Sequence, residues 1–576
     1  MSLPRLEAMA PPGDMVYRTP VPLAPELVKH CTSFFEDYLY TQALDLLTNT
    51  LASGTYASKK AIIPCVDHLA IAATLLVHPT TTTRPERIAE EEAAHLALRL
   101  LRLLTTLVTP SDAKLDLAFS FARAQTSRSG LRSHKGDSEV PEEHCNDSMP
   151  LHLKLAAEDS LWSRAEDFWH VVGWAFNCSV LHPGRWEYWQ MWLEFMCGVI
   201  EEDWTLREQA FQSQPKRDDS PAEDSGSEAE RSSPTNGEGL STFEESLIFQ
   251  YMSGVSVSGK VRRIFRAIFA DGTSGSLNEF RQVFNKELAR HDSNQHSGST
   301  KKRDRVNIER GEYGDYISED DTDEEINEAT GGQNPSRRSD SPVVASKPRR
   351  SKRARQGTRS ASDLHNGQDV GKSQASTHQA GIPSLGGYES LNLRKRLLDI
   401  LLKVSMRLPR KFVDAPELFE LFVENIRHQP LPIFQAFVSP YVLPQFSDAA
   451  QSTLCEVLLF NMRESSAPGT DEGNLTQEKL ELCFLPYAAA NASVINNTKM
   501  SILLEACIVL LAKSNMLQAT DEFKETVQSG ILHRAERAQD EIRRSQSSRQ
   551  QEPIEWCWLV ESGERLNYLV EVLQPV

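Results

Sequence analysis

The sequence lacks the short cysteine spacings that mark zinc fingers, redox motifs and disulfide frameworks. Its 9 cysteines are scattered along the chain, and most of them lie among apolar residues. Cysteines placed in this way are small, reduced core residues, which are typical of cytosolic and nuclear proteins. A Cys2His2 zinc site built from His170, Cys178, His182 and Cys197 is an alternative, but only one pair of these residues is closely spaced. We therefore predict no metal and no cofactor.

Long hydrophobic runs are missing as well. The N-terminus has no apolar segment of the kind that a secretory signal contains. The longest apolar stretch, 501–512, contains Glu505 and is shorter than a membrane-spanning helix. The sequence thus predicts neither secretion nor insertion into a membrane.

Broad positive charge and familiar catalytic motifs are also absent. The chain has 80 acidic and 62 basic residues and a formal net charge of −18, whereas a protein that coats nucleic acid needs a wide basic surface. Neither His-Glu-x-x-His nor Gly-x-Ser-x-Gly occurs, and these spacings bring catalytic side chains together in metalloproteases and hydrolases. We expect a non-enzymatic protein whose contact with nucleic acid is at most local and weak.

What the sequence does contain is helical periodicity. Apolar residues recur at steps of three and four, for example at Leu393, Leu397, Leu401, Val404 and Leu408, and this spacing places them on one face of a helix. Alternating strand patterns are nearly absent. We predict an all-α protein of about a dozen helices, arranged as an irregular bundle or an α-solenoid that is HEAT-like or armadillo-like by analogy only.

Composition divides the chain into helical segments and linkers. Three stretches fill with Ser, Gly and charged residues and contain too little apolar surface to offset the entropy of ordering the chain. The predicted segments are a flexible N-terminus at 1–21, helical segments at 22–124, 241–290 and 389–576, a Trp-rich helical hairpin at 150–211, and disordered linkers at 125–149, 212–240 and 291–388.

Seven of the 9 tryptophans fall between residues 162 and 204. Trp162 and Trp169 lie on one predicted helical stripe, and a second stripe follows the turn at Pro183. An aromatic core joining two helices is the favoured interpretation, because aromatic side chains bury large areas. The alternative is a partner-binding surface on which Trp186, Trp189 and Trp192 are exposed anchors.

Residues 254–260 nearly fit a phosphate-binding loop. Gly254, Gly259 and Lys260 match that pattern, but Val261 stands where Ser or Thr would hold magnesium. A nucleotide-dependent enzyme with a degenerate phosphate loop is thus the weaker hypothesis. The favoured interpretation is a loop before an amphipathic helix, whose water-facing side carries four basic residues: Lys260, Arg262, Arg263 and Arg266.

The longest linker carries a basic cluster of the kind that import receptors read. Its six basic residues are Lys347, Arg349, Arg350, Lys352, Arg353 and Arg355. The alternatives are direct contact with nucleic acid and a solvated run of charged residues that binds no partner. Candidate phosphorylation sites precede proline or acidic residues, and phosphate there would create a docking site for a basic partner. They are Ser220, Ser233, Ser318, Thr322 and Ser341.

Together these features predict a non-enzymatic nuclear scaffold or adaptor. Its helical surface would bind subunits of a chromatin-associated or DNA-repair complex, and its linker would bind an import receptor. The alternative is a direct nucleic-acid binder that uses the basic linker and the helix at 260–266, with an affinity that falls steeply with salt.

Overall fold

Helices make up most of the folded chain, whose structure is a computed structural model. The structure describes residues 17–53, 60–85, 87–121, 153–213, 237–252, 257–288, 381–470, 473–544 and 552–573. In these ranges the protein is 70% helical and 2% strand, with 20 α-helices. The prediction of a mostly helical protein is confirmed, and the count exceeds about a dozen because several helices span only one or two turns.

The first part of the chain forms helices α1 to α5 and the two short strands described by the structure. The sequence predicts four or five helices between residues 25 and 124, and the described part of that range contains five. Strands β1 and β2 pair in parallel, with Pro20 opposite Ala61. The bounds are β1 Pro20–Pro22, α1 Pro25–Glu36, α2 Tyr40–Ser53, β2 Ala61–Ile63, α3 Val66–Leu75, α4 Ile88–Leu107 and α5 Leu115–Ala118.

The Trp-rich hairpin consists of two helices, α7 and α8, separated by His182. The predicted stripe from Trp162 to Trp169 is wrong in one respect, because the helix breaks between them. Asp167 caps α7 there by accepting a hydrogen bond from the backbone N–H of His170 at 2.7 Å. The bounds are α6 Leu161–Arg164, α7 Phe168–Leu181, α8 Pro183–Ser213, α9 Gly237–Glu244, α10 Leu247–Met252, α11 Val257–Ile268 and α12 Ser274–Glu279.

Eight helices follow residue 381. A short 3₁₀ turn at Ile382–Leu385 precedes them, so ordered structure begins before the predicted boundary at 388. The sequence predicts that the Asp414 carboxylate caps a helix, and it caps α14. The sequence also predicts a helix from residue 477 to about residue 490, but α17 ends at Cys483, because Pro486 disfavours helical backbone in the residue before it. The bounds are α13 Gly387–Arg407, α14 Ala415–Ile426, α15 Leu431–Val438, α16 Asp448–Met462, α17 Gln477–Cys483, α18 Val494–Lys513, α19 Asp521–Arg544 and α20 Glu552–Val572.

The helices before residue 290 and those after residue 380 belong to one unit. Helix α13 packs against α7 and α8, and Gly386, with a φ of 85°, lies so close to α7 that a Cβ there would be 2.4 Å from Ser179 Cβ. The rings of Phe265 and Phe422 are 5.4 Å apart across this junction. Residues 289–380 therefore interrupt the sequence of one folded unit instead of joining two domains.

Helix α18 is the buried centre of the later helices. It packs against α15, α16, α19 and α20. Within the described residues it is the single helix long and apolar enough to cross a membrane, with a mean hydropathy of 1.5, but 78% of that window is buried in the fold. Core helices of water-soluble proteins have the same composition, so this helix is weak evidence for membrane insertion.

Candidate functional site

The Trp-rich hairpin encloses a buried ion pair. Arg185 Nε and Nη2 donate to Glu287 Oε1 at 2.8 and 2.6 Å. Trp189 Nε1 donates to the same oxygen at 2.8 Å, and Trp174 Nε1 donates to Oε2 at 3.1 Å. The side chains of Arg185 and Glu287 are 4% and 0% exposed. Both charges are thus neutralised inside the protein, and the tryptophans of α7 and α8 supply part of the neutralising shell.

Backbone and hydroxyl groups complete this shell. Arg185 donates to Thr82 Oγ1 and to the carbonyl of Val77, each at 2.6 Å. The backbone N–H of Phe284 donates to Glu287 Oε2 at 3.2 Å. A buried charge is tolerated only with such complete hydrogen bonding. These partners come from the chain between α3 and α4, from α8 and from the chain after α12, so the cluster holds distant segments together. Because the side chains of Arg185 and Glu287 are almost completely buried, neither charged group is accessible to a substrate.

The three tryptophans considered as exposed anchors lie in the core. Trp186, Trp189 and Trp192 are 8%, 0% and 0% exposed. Their rings pack among other aromatic residues, for example Trp189 against Phe284 at 6.1 Å. The anchor interpretation is therefore corrected, since the large area of an indole ring is stabilised here by burial against α7 and Phe284. The favoured core interpretation agrees with these positions.

Arg394 is a second buried cation, and it joins α13 to the end of α11. Its guanidinium donates to the carbonyls of Ile268, Ala270 and Leu385, the last two at 2.9 and 3.4 Å. It also stacks on Phe176, with 4.0 Å between its central carbon and the ring centre. Burial lowers the pKa of Arg394 to about 9. The side chain satisfies carbonyls at a helix end, which is a structural role.

Lys499 and Arg534 act in the same way among the later helices. Lys499 Nζ donates to the carbonyl of Arg427, just after α14, at 2.7 Å. Arg534 Nη1 donates to the carbonyl of Leu485 at 2.9 Å. Burial lowers the pKa of Lys499 to about 8 and that of Arg534 to about 9. The lowered pKa values of these two cations therefore come from burial, and the cations serve as helix and loop caps.

Lys395 differs from these cations, because its charge is not compensated by a hydrogen bond. Its side chain is fully buried, and among the described residues no group accepts a hydrogen bond from Nζ. The ring of Phe446 lies 5.3 Å away. Burial lowers the pKa of Lys395 to about 8. The ammonium group therefore costs stability at neutral pH.

We predict that Lys395→Met raises the free energy of unfolding by about 1–3 kcal/mol at pH 7. The pKa of this lysine is about 8 in the folded chain, against an ordinary value of 10.5. The free-energy cost of burying the Lys395 ammonium group is therefore complete below pH 8. It disappears as the pH rises to 10.5, because the lysine loses its proton at a lower pH in the folded state than in the unfolded state. Urea unfolding of both proteins between pH 7 and about pH 10.5 measures this narrowing difference.

Lys499→Met is the matched control for this prediction. It removes the bond to the Arg427 carbonyl, so it should stabilise the protein less than Lys395→Met or destabilise it. Two outcomes would contradict the assignment of an uncompensated charge to Lys395. One is an equal increase in the free energy of unfolding from both substitutions, and the other is an increase from Lys395→Met that does not change with pH.

A polar cleft of about 270 Å³ lies between α5, α8 and α10. Asp203 forms its floor, accepting from Arg207 Nε and from the backbone N–H of Leu247, each at 3.0 Å. Burial raises the pKa of Asp203, and the Asp116 carboxylate raises it further. Arg207 also donates to the carbonyl of Thr242. The described lining holds neither histidine nor cysteine.

The glycine pattern at 254–260 does not meet the condition for a phosphate loop. A helix, α10, precedes it, whereas a phosphate loop follows a strand. Residues 253–256 lie outside the described residues, and Gly259 and Lys260 belong to the first turn of α11. Lys260 Nζ donates to the carbonyl of Met252 at 2.7 Å. This lysine is thus held by the end of the preceding helix.

Two of the four basic residues predicted on the water-facing side of α11 are neutralised by acidic side chains. Arg263 pairs with Asp167 and, at 3.3 Å, with Glu166. Arg266 donates to both oxygens of Glu279 at 2.7 and 2.8 Å. These pairs remove the continuous positive surface that the nucleic-acid hypothesis requires of this helix.

The zinc alternative fails at His170. Its Nδ1 accepts from the backbone N–H of Glu166 at 3.2 Å, and its Nε2 lies 3.0 Å from the carbonyl of Arg281. Both ring nitrogens are therefore occupied, whereas a metal ligand needs one of them free. A search of the described ranges finds no group of three or more His, Cys, Asp or Glu residues that could hold a metal ion.

The remaining predicted sites lie outside the described residues and stay predictions. They are the import residues Lys347, Arg349, Arg350, Lys352, Arg353 and Arg355, and the phosphorylation candidates Ser220, Ser233, Ser318, Thr322 and Ser341.

Exposed apolar side chains are concentrated on the later helices. Twelve of the seventeen large apolar side chains that are exposed in the described ranges follow residue 381. Exposed apolar groups that cluster on a folded surface are typical of sites that contact other proteins. The later helices therefore carry most of the large apolar side chains that are exposed in the described ranges.

Phe460 and Leu482 illustrate this surface. Glu456 of α16 pairs with Lys479 of α17, and Arg463, just after α16, donates to the carbonyl end of α17 and stacks on the Phe460 ring. Two polar contacts therefore link the helices, and Phe460 and Leu482 lie close in sequence to the linking residues. Both side chains are more than half exposed.

Comparisons with known proteins give no family for the chain. A scan against protein-family models found no match, and neither the search of curated proteins nor the search of solved structures found one.

Proposed function

We propose that the protein is a non-enzymatic nuclear scaffold or adaptor that binds partner proteins through its helical surface. The observation that carries this proposal is the concentration of exposed apolar side chains on the helices after residue 381. The buried charges around Arg185, Arg394 and Lys499 support it, because internal groups compensate each of them. In a catalytic site, such groups would face a cavity instead.

The proposal includes the finer architecture and the setting. The later helices would stack as an irregular bundle or an α-solenoid-like array and so present a broad surface. The basic cluster at 347–355 would bind an import receptor, and a chromatin-associated or DNA-repair complex would supply the partners. Direct nucleic-acid binding is the second candidate. It rests on the same basic cluster and on the exposed Arg262, and the ion pairs of Arg263 and Arg266 weaken it.

The experiment that tests this function is purification of the tagged full chain from nuclei, with and without nuclease, at low and high salt. We expect partner proteins in near-stoichiometric amounts that survive nuclease and high salt. Partners lost on nuclease treatment would favour the nucleic-acid candidate, whose contacts weaken steeply with salt. Recovery of the chain alone would overturn the scaffold proposal.

Deleting residues 347–355 tests the nuclear address separately. We expect the deleted protein to leave the nucleus, while a control lacking residues 214–222, which contain two basic and two acidic residues, stays there. The 347–355 segment should also carry a large reporter into the nucleus by itself. A reporter that remains outside would contradict the import assignment.

A further inference from the structure

Within the described ranges, one side of helix α20 is covered by other helices and the opposite side is exposed. Leu559, Leu566 and Val570 are buried where α20 packs against α18 and α19. On the opposite side Ile554, Val560, Tyr568 and Val572 are exposed, Tyr568 to 66%. Since successive residues turn by about 100°, these four positions share one face of the helix, about 27 Å long. We call it the outer face of α20.

The outer face also carries negative charge. Glu561, Glu564 and Glu571 are exposed on it, at helical steps between the apolar positions. The single basic residue in the sequence of α20 is Arg565. Its guanidinium donates to Glu505 of α18 at 2.9 Å and to Glu561 at 2.8 Å. The face therefore combines apolar side chains with carboxylates, and the described residues of α20 add no free cation to it.

We propose that the outer face of α20 binds a basic amphipathic helix of a partner protein. This proposal rests on the proposed scaffold function and names the chemistry of one partner. A helix with an apolar stripe flanked by Lys and Arg would place its stripe along Ile554, Val560, Tyr568 and Val572 and its cations against Glu561, Glu564 and Glu571. Helices recognised in this way bind through anchors at three- and four-residue spacing, and matched charges select the partner.

The charge of the face argues against other occupants. A second copy of the chain would bring carboxylates against carboxylates, which is unfavourable. Nucleic acid and anionic lipid are repelled for the same reason. An uncharged apolar helix would cover Tyr568 but would leave the carboxylates of Glu564 and Glu571 without a cation. A basic helix satisfies both features together.

The test measures binding of a fluorescent 18-residue Leu/Lys amphipathic peptide to the purified full chain by anisotropy. Tyr568→Ala and Glu564→Lys should each weaken binding by at least about tenfold, because one removes a central aromatic contact and the other reverses a charge. Matched controls on the neighbouring helix α19 are Leu532→Ala and Glu536→Lys, both at exposed positions, and they should leave binding unchanged. Unfolding curves establish that all four variants fold.

A second readout uses the cysteine on the same helix. Cys557 is exposed on α20, and its position falls on the outer face by the helical turn of about 100° per residue. The bound Leu/Lys peptide should therefore slow alkylation of the Cys557 thiol in the wild-type chain. An alkylation rate that the peptide does not change would contradict binding at this face.

Three further outcomes would overturn the proposal. The first is a loss of peptide affinity in the α19 controls as large as the loss in the α20 variants. The second is equal binding of a Leu/Glu peptide with the same spacing. The third is a dimer that is detected by sedimentation and abolished by Tyr568→Ala.

The same variants separate this inference from the proposed function. Consider a chain that carries both Tyr568→Ala and Glu564→Lys. If nuclear partners still co-purify with it, and the peptide binds the wild-type chain no better than this double variant, the scaffold proposal is supported but the outer face of α20 is not the binding site. If no partner co-purifies with either chain, the scaffold proposal itself fails.

Discussion

Replacing Glu287 by glutamine is expected to lower the free energy of unfolding by about 3 kcal/mol, because it leaves the buried Arg185 charge without its counter-ion. The carboxylate accepts hydrogen bonds from Arg185, Trp174, Trp189 and the backbone of Phe284. Glutamine keeps the shape but loses the negative charge and one acceptor oxygen. Urea unfolding followed by tryptophan emission measures the loss.

The control for Glu287 is Glu279→Gln. This residue pairs with Arg266 at the surface, where the two side chains are 28% and 53% exposed. Exposed pairs contribute about 0–1 kcal/mol, so the control should change the unfolding free energy little. Decreases of similar size in the free energy of unfolding for Glu287→Gln and Glu279→Gln would contradict the stabilising role of the buried ion pair.

A double variant separates charge from packing at this site. Replacing both Arg185 and Glu287 by methionine removes both buried charges and keeps most of the volume. It should recover a large part of the stability lost in Glu287→Gln, since apolar pairs replace buried ion pairs at little cost.

Arg394→Ala should destabilise the protein by about 3–5 kcal/mol. The substitution leaves a cavity beside Phe176. It also leaves the buried carbonyls of Ala270 and Leu385 without the donors that satisfy them. Because Arg394 joins α13 to α11, the helices after residue 381 should become easier to cleave in limited proteolysis.

Two further variants test the geometry of Arg394. Arg394→Lys should recover part of the loss, because an ammonium group can donate to these carbonyls but cannot stack as a planar guanidinium does. Arg410→Ala, at an exposed position after α13, should have almost no effect. An Arg394→Ala protein as stable as Arg410→Ala would show that the buried contacts contribute little.

The helices could be predicted from sequence where apolar spacing and caps agree. The helix predicted from residue 448 to 462 occupies those residues in the structure, and Asp414 caps α14 as expected. The bounds of short helices such as α5 and α6 could not be predicted, because four residues are too few to show periodicity. The break before α7 was missed because a capping Asp167 interrupts an apolar pattern that continues on both sides.

The candidate sites were less predictable. Arg263 and Arg266 are basic residues on a water-facing helix side, and the sequence gives no sign that Asp167 and Glu279 neutralise them. No sequence pattern predicts that Glu287 pairs with Arg185 inside the core. It lies 98 residues from Trp189 in the chain, in a segment that resembles an ordinary helix end. The exposed apolar positions of α20 could not be told from core positions by spacing alone.

Sequence spacing was enough to predict that the described chain is helical, because backbone hydrogen bonding within a helix depends on neighbouring residues and on the period of their side chains. Three further properties became visible only in the folded chain: the helices on both sides of residues 289–380 form one unit, the tryptophans between 162 and 204 lie inside it, and the described residues leave one face of α20 exposed. Those properties depend on contacts between residues far apart in the chain, and sequence spacing does not encode which helix faces will meet.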